Sequence, residues 1–219
     1  MMGQVSAAYI PPYKIFLGNR DFSHSALASS TPIYRSPTVR YQEHISYMKG
    51  YKEIRVAYIC DPHQASIDVA LSQIEKSDQP RTVRDEKELL EYVEDIDLLV
   101  IATPNHMHAP QLLRWARHPI AILCEKPVAI SEKQVHALRS AAPSFRANIW
   151  VGMEYRFIPA IQKLIQLLPE VGLVKNISIR ENRYPFLDKV GQWNKDVDKS
   201  GDTLVEKCCH FFDLFRVLR

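Results

Sequence analysis

The sequence predicts an α/β fold built on a parallel sheet, and three observations support this. Apolar runs of strand length recur at residues 54–60, 98–102 and 120–124. Segments with apolar residues at helical spacing lie between these runs. Each run also ends at polar or turn-forming residues. Strands that alternate with helices favour a parallel sheet with helices on both faces.

The connecting segments carry the helical signals. Residues 64–75, 86–94 and 109–117 place apolar side chains on one face, which predicts three helices. A fourth helix is predicted to begin after Ser131, whose hydroxyl suits an N-cap. A last short strand is predicted at 149–152.

The chain divides into three parts. Residues 1–42 are rich in Pro, Ser and Thr and are predicted to be an atypical, irregular segment, with one short strand at 13–17. Residues 43–155 hold the alternating strands and helices. Residues 156–219 begin with a helical pattern and continue with apolar–polar alternation at 174–180, which predicts the start of a second α/β domain with an open sheet.

Composition excludes several classes of protein. A net charge of +3 with interspersed acidic and basic residues gives no indication of nucleic-acid binding. No apolar run approaches the roughly 20 residues that span a bilayer. The four cysteines form no Cys-x-x-Cys pair, and no secretory signal is evident, so we expect a reducing, cytoplasmic location.

Polar residues follow three of the predicted strands. Asp61, the Thr103-Pro104-Asn105 turn and the Glu125-Lys126-Pro127 turn each stand where a strand ends. In an open parallel sheet, ligands bind beyond the carboxyl ends of the strands. Each group alone is commonly just a turn or a helix cap, but together they predict one shared crevice.

Three motifs show a family resemblance: Ala-Thr-Pro-Asn-His-Met-His at 102–108, Cys-Glu-Lys-Pro at 124–127, and the segment 201–213. With these motifs, residues 43–219 resemble the Gfo/Idh/MocA oxidoreductases. The resemblance implies a Rossmann-like domain for NAD or NADP, followed by an open-sheet domain that covers a sugar, inositol or other polyol substrate. It also implies a homo-oligomer formed through that open sheet.

The resemblance implies three catalytic residues. Lys126 would contact the reacting hydroxyl or carbonyl and help to move its proton, and the bond before Pro127 is often cis in this motif. His210 would be the second acid/base or orienting group. Glu206, one helical turn before His210, stands where many relatives have Asp. The alternatives are a surface lysine at 126 and a helix histidine that faces solvent or core at 210.

The resemblance also implies binding residues. Asp61 would accept bonds from the adenosine ribose and so favour NAD, although a nearby Arg or His can reverse that preference. Asn105 and His108 would line the nicotinamide side, and Glu125 would help orient the site or contact the nicotinamide ribose. The other cofactor-binding residues would be Thr103, Pro104 and Lys126. The substrate side would include Tyr155, Arg156, Trp193 and Asn194. His106 and His108 suggest a metal only weakly, because no third ligand follows, and we predict none.

The glycine loop of a dinucleotide fold is incomplete. Only Gly3 remains of the expected Gly-x-Gly-x-x-Gly, and joining Gly3-Gln4 to Glu43-His44 restores the family's usual continuation. Residues 5–42 therefore interrupt the motif. One hypothesis is a translated intron, because valine codons begin with GT and a glutamine codon ends with AG. The alternative is a genuine loop insertion.

The interruption has physical consequences. The first strand, which lies centrally in this fold, is missing or replaced, so its two neighbours would lose a partner. Pyrophosphate binding should be weak without the first two glycines. We therefore expect a chain that is unstable or nearly inactive. The rival to a dehydrogenase is a non-catalytic, truncated nucleotide-binding member or regulator.

Overall fold

The computed structural model describes residues 40–48, 50–51, 54–182 and 190–219. Gly3, the strand predicted at 13–17 and the rest of the atypical segment up to residue 39 lie outside the described residues. Of that segment, only the first turn of a helix that begins at Arg40 is described.

Five short strands are described, and every pairing between them is parallel. They are β1 Tyr58–Cys60, β2 Arg81–Val83, β3 Leu98–Ile101, β4 Ala121–Cys124 and β5 Asn148–Val151. Four of them match predicted strands, whereas β2 was not predicted because its three residues include the exposed Arg81 and Thr82. The predicted α/β class with a parallel sheet is confirmed.

The sheet falls into two parts, β1–β2 and β3–β4–β5. Within the described ranges no strand pairs with the second edge of β1 or of β3. This gap lies where the sequence places a central first strand. The carboxyl ends of β3, β4 and β5 are aligned, since Ile101 pairs with Cys124 and Cys124 with Val151. The residues that follow β3, β4 and β5 therefore meet at one edge.

Nine α-helices are described. They are α1 Arg40–Met48, α2 Gln64–Ser72, α3 Glu86–Leu90, α4 Asn105–Trp115, α5 Glu132–Ala141, α6 Pro159–Val171, α7 Val197–Ser200, α8 Asp202–Glu206 and α9 Cys209–Val217. Short 3-10 turns join several of them, including Glu154–Phe157 after β5 and Val190–Lys195 before α7. None of the helices in the described part is long and apolar enough to cross a membrane.

Helix α4 begins four residues earlier than predicted. The sequence analysis started this helix at residue 109, but it begins at Asn105 and contains Pro110. Proline has no N–H to bond the carbonyl of His106, one turn before it. The Gln134 side chain of α5 donates to that carbonyl instead, with Nε2 and O 3.0 Å apart. A tertiary hydrogen bond therefore compensates for the backbone hydrogen bond that Pro110 cannot form.

The strand predicted at 174–180 is wrong for the described chain, where these residues belong to no strand or helix. A strand needs a neighbour for its backbone hydrogen bonds, and the described residues provide none. The preceding helix α6 has no buried residue, although its apolar side chains follow one face. The second domain therefore lacks a sheet in the described part.

Two apolar clusters accompany the two parts of the sheet. The larger one includes Ile101, Leu112, Trp115 and Ile122, all at most 3% exposed. The smaller one packs Ile45, Ile59, Ile67 and Ala70 between α1, α2 and β1. Burying one such side chain contributes about 1.5–3 kcal/mol. Each cluster anchors a strand whose end carries a candidate site residue.

Gly201 between α7 and α8 should not tolerate a side chain. Its φ is +80°, and an added Cβ would lie 2.9 Å from Ile130 Cβ and 3.0 Å from Val205 Cγ1. We expect Gly201→Ala to lower the free energy of unfolding by roughly 2–5 kcal/mol, from the left-handed backbone and the crowding together. Urea unfolding measures this change.

Gly50→Ala serves as the control. The backbone at Gly50 has no positive φ, and the nearest atom to an added Cβ is 3.4 Å away. Its effect should stay within about 0.5 kcal/mol. Equal stability of the Gly201→Ala and unmutated proteins would contradict the turn geometry.

The buried thiols should react slowly. Burial raises the pKa of Cys60 to about 12, and the Glu86 and Asp61 carboxylates add to the shift. Burial, with a contribution from the Glu125 carboxylate, raises the pKa of Cys124 well above its ordinary range. Because the thiolate is the nucleophile, both residues should label slowly at pH 8 in the folded protein and rapidly in urea. Ellman's reagent followed by peptide mapping measures this, and fast native labelling of Cys124 would disprove its burial.

Candidate active site

The candidate catalytic lysine lies in the turn after β4. Lys126 is 9% exposed, and its peptide bond to Pro127 is cis. Its ammonium group donates to the backbone oxygen of Glu206, with Nζ and O 2.8 Å apart. The lysine therefore reaches across to the segment that carries the candidate histidine, which does not fit the alternative of a surface lysine.

That segment is folded against the ends of the parallel strands. Asn105, the first residue of α4, donates from Nδ2 to the oxygen of Ser200 at 2.9 Å. Lys126 binds Glu206 at the end of α8, and His210 follows in α9. Glu206 and His210 are 3% and 2% exposed. Two polar residues of the first domain thus fix the position of the turns that precede His210.

Asn105 offers a buried acceptor. The residue is 0% exposed, and its Oδ1 has no hydrogen-bond partner among the described residues. A buried acceptor that lacks a partner costs about 1–3 kcal/mol, so such atoms commonly mark a ligand or water. It stands at the end of β3, inside the crevice that the sequence predicts.

His108 bridges two strand ends. Its Nδ1 lies 2.7 Å from the oxygen of Pro127, and its Nε2 lies 2.8 Å from the oxygen of Thr103. Carbonyl oxygens only accept, so the ring donates to both only as an imidazolium. His108 is 0% exposed. The residue therefore holds the turn with Lys126 against the turn after β3, while its predicted contact with nicotinamide stays a prediction.

Glu125 is held beside the lysine. Its Oε1 lies 3.0 Å from Nε2 of His44 in α1, and its Oε2 lies 3.3 Å from the backbone nitrogen of Lys126. A Cβ at Gly152 would approach Oε2 to 3.2 Å, so the absence of a side chain after β5 leaves room for this carboxylate. His44 is the histidine of the interrupted glycine-loop motif, and its contact with Glu125 was not predicted.

The remaining predicted cofactor residues follow β1 and β3 in the chain. Asp61 follows β1, and its Oδ1 accepts from the backbone nitrogen of His63 at 2.8 Å. The hydroxyl of Thr103 donates to Oε1 of Gln111 at 2.7 Å, and Pro104 is the N-cap of α4. Asp61 therefore forms a local turn, and its contact with the adenosine ribose stays a prediction.

The predicted substrate residues fall into two groups. Tyr155 and Arg156 lie in the turn after β5, where Tyr155 stacks on His210 and Arg156 forms a bidentate ion pair with Asp213. Trp193 and Asn194 lie in the 3-10 turn Val190–Lys195 and are half-buried. Substrate contact by these four residues stays a prediction.

Lys207 is a polar residue that the sequence analysis missed. It is 7% exposed, and its Nζ lies 3.1 Å from Oε1 of Glu181. It also donates to the hydroxyl of Tyr155. A lysine beside Glu206 gave no periodic or motif signal of its own, and its burial depends on partners 26 and 52 residues away.

The described part of the chain offers no group of three His, Cys, Asp or Glu residues that could hold a metal ion. The contacts already given for His108 occupy both of its ring nitrogens with protein carbonyls.

Parallel strands with polar residues at their carboxyl ends are typical of nucleotide-binding α/β domains. The family model described as "Oxidoreductase family, NAD-binding Rossmann fold" matches residues 38–153, more than half of the chain. The chain belongs to this Gfo/Idh/MocA family.

Known relatives agree with this assignment. The chain is 28% identical over 180 residues to an inositol 2-dehydrogenase of Rhizobium meliloti, which covers 80% of this chain and 50% of the relative. The structure resembles a myo-inositol dehydrogenase from Corynebacterium glutamicum, with a TM-score of 0.63, 20% identity, and coverage of 82% of this chain and 52% of that chain.

A third similarity is to the WlbA (WbpB) dehydrogenase from Thermus thermophilus, solved in complex with NAD and UDP-GlcNAcA. The TM-score is 0.58 and the identity 23%, over 79% of this chain and 58% of that chain. At these identities the two structural similarities establish the fold. The chain spans about half the length of the inositol dehydrogenases that it matches.

Proposed function

We propose that this chain carries the cofactor half and the catalytic lysine of an NAD(P)-dependent dehydrogenase that acts on an inositol, a sugar or another polyol. The observation that carries the proposal is the contact of Lys126 Nζ with Glu206 O at 2.8 Å. It joins the lysine that follows β4 to the segment of Glu206 and His210, and this supports a site in which both side chains serve acid/base chemistry at one carbon.

The described residues fit the two ends of a dinucleotide. Asp61 stands at the end of β1, where a carboxylate would accept bonds from the adenosine ribose. Asn105 has its buried Oδ1 at the end of β3, where a donor of the cofactor or substrate would satisfy it. The glycine loop that would hold the pyrophosphate lies outside the described residues. NAD is the preferred form, and NADP is the alternative.

Bound NAD would supply the acceptor for a hydride from the substrate carbon. Lys126, kept largely from water, would donate a hydrogen bond to the reacting oxygen and hold or release its proton. His210, from the adjoining helix, would orient the same hydroxyl or take over the proton. Glu206 would anchor the lysine through its backbone oxygen, and Glu125 would be fixed beside it by His44.

The substrate class follows from the relatives. The curated relative acts on inositol by its name, and the Thermus thermophilus structure contains a nucleotide sugar. A ring with several hydroxyls suits a site in which Lys126 and Glu125 adjoin the segment of Glu206 and His210. Tyr155, Arg156, Trp193 and Asn194 are proposed to border this ring. A homo-oligomer stays a prediction, because the sheet expected to form its interface is not present in the described residues. A cytoplasmic location is proposed, because all four cysteines are free thiols.

The rival proposal is a non-catalytic nucleotide-binding member. The divided sheet favours it, because the described strands lack the central neighbour that supports the cofactor crevice. Both proposals predict some affinity for NADH, but only the first predicts turnover.

The discriminating experiment combines binding with turnover. NADH fluorescence titration measures cofactor binding, and absorbance at 340 nm follows the reduction of NAD+ and NADP+ with a panel of inositols, sugars and linear polyols. Reduction that depends on one class of polyol supports the dehydrogenase. Binding without turnover supports the rival, and the absence of both would overturn the cofactor assignment for this chain.

A further inference from the structure

We infer that Tyr155 is a positioning residue that fixes the orientation of the His210 imidazole. This inference rests on the proposed function and deepens it, because it concerns the same site. The two rings stack face to face, with centroids 4.1 Å apart and planes 7° from parallel. His210 is 2% exposed. A flat ring over one face of the imidazole prevents rotation about the side-chain bond that would re-aim its nitrogens.

Tyr155 is itself held at its other end. Its hydroxyl donates to Oε1 of Glu181 at 3.2 Å and accepts from the ammonium of Lys207. Lys207 and Glu181 form an ion pair at 3.1 Å, and the ammonium also lies 4.6 Å from the centre of the Tyr155 ring. Charge-assisted hydrogen bonds from both partners fix the hydroxyl and therefore the ring.

The arrangement joins three distant parts of the chain. Tyr155 comes from the turn after β5, Glu181 follows the extended segment after α6, and Lys207 precedes α9, three residues before His210. The cluster thus connects the edge of the parallel sheet to the helix that carries the histidine. In this assignment Tyr155 acts through His210, in addition to the substrate contact proposed above.

Proton transfer depends steeply on orientation, since a misplacement of about 1 Å can cost about 100-fold in rate. Removal of the Tyr155 ring should therefore lower kcat with the productive polyol by about 10- to 100-fold, while the KM for the cofactor changes less than about twofold. Tyr155→Phe keeps the stack and loses the hydroxyl contacts, so its loss should be intermediate. Lys207→Met removes the cation that holds the hydroxyl, and should resemble Tyr155→Phe.

The spectroscopic test does not depend on turnover. In the full chain with 13C-labelled histidine, the Hε1 resonance of His210, assigned by its loss in His210→Gln, should be shifted upfield by the ring current of Tyr155. Tyr155→Leu should abolish this shift, and Tyr155→Phe should retain it. Tyr92→Leu is the matched control, because Tyr92 also stacks on a ring, that of Tyr58, and also lies under a cation, Arg81, but far from His210 in the fold.

The outcomes are separable. An unshifted His210 resonance, or one unaffected by Tyr155→Leu, would overturn the inference and leave the proposed dehydrogenase intact. Equal kcat values for Tyr155→Leu and the unmutated protein would also overturn it. A shifted resonance in a protein that reduces no cofactor would overturn the proposed function, and with it the role of Tyr155 in catalysis. If Tyr155→Leu does not fold, the kcat values of Tyr155→Phe and Lys207→Met decide. Values equal to that of the unmutated protein in both variants would overturn the positioning role of Tyr155.

Discussion

Replacing Lys126 with Met should lower kcat for cofactor reduction by about 100- to 10,000-fold, the range that a positioned acid/base group contributes. Methionine keeps the length and the apolar part of the side chain but removes the ammonium that donates to Glu206 O at 2.8 Å. The reacting oxygen would lose its proton donor or acceptor, whereas the strands that build the crevice keep their pairing. The measurement is the initial rate at 340 nm with the polyol found by the screen.

Lys133→Met controls for the removal of a positive charge. Lys133 lies on α5 and is exposed, so its replacement should leave the rate and the NADH affinity unchanged. The Lys126→Met protein should also retain NADH binding within a few-fold. Turnover of Lys126→Met within about threefold of the unmutated protein would remove the lysine from the chemistry and, with it, the observation on which the proposed mechanism rests.

Replacing His108 with Leu should lower the free energy of unfolding by roughly 1–3 kcal/mol, since the ring lies within hydrogen-bond distance of two carbonyl oxygens and donates to one of them even when neutral. Those oxygens belong to Thr103 and Pro127, 2.8 and 2.7 Å from the ring nitrogens. One of these oxygens belongs to Pro127, which follows Lys126 in the same turn. Loss of stability should therefore be accompanied by loss of turnover. Urea unfolding, followed by tryptophan fluorescence, measures the first effect.

His136→Leu is the control for this change. His136 lies on α5, is 68% exposed, and pairs only with Glu132 one turn away among the contacts described, at 3.5 Å. An exposed pair of this kind contributes little to stability, so the control should change the unfolding free energy by less than about 0.5 kcal/mol. If His108→Leu unfolds at the same urea concentration as the unmutated protein, the bridge between the two turns carries no stability.

Much of the first domain could be predicted from local pattern. The apolar runs at β3 and β4 are strands because Val, Ile and Leu suit positions that are buried or half-buried on both faces of a parallel sheet, whereas β5 alternates exposed and half-buried residues. The Ser131 cap was also identified, and its hydroxyl accepts from the backbone nitrogen of Gln134. These features depend on residues close in sequence. The early start of α4 could not be predicted in this way, because it depends on a hydrogen bond from Gln134, in another helix, to the carbonyl of His106.

Some features of the candidate site could also be predicted from local pattern, and others could not. The residues after the strands, Asp61, Asn105 and Lys126, could be placed at one edge, because parallel strands of known order bring their carboxyl ends together. Partners separated by many residues could not be placed. His44 with Glu125, His108 with Pro127, and the cluster of Tyr155, Glu181 and Lys207 are contacts that no spacing encodes.

The sequence by itself predicted the α/β class, four of the five described strands and the family, and it proposed Lys126 and His210 as the candidate acid/base residues. The sequence also led us to expect two strands without a central partner, but only the tertiary structure decided that β2 pairs with β1 and that residues 174–180 form no strand in the described chain. Hydrophobic periodicity records which face of a segment can be buried, and it is local. Strand pairing and polar contacts need a partner at a particular place, and whether that partner is present is a property of the folded chain.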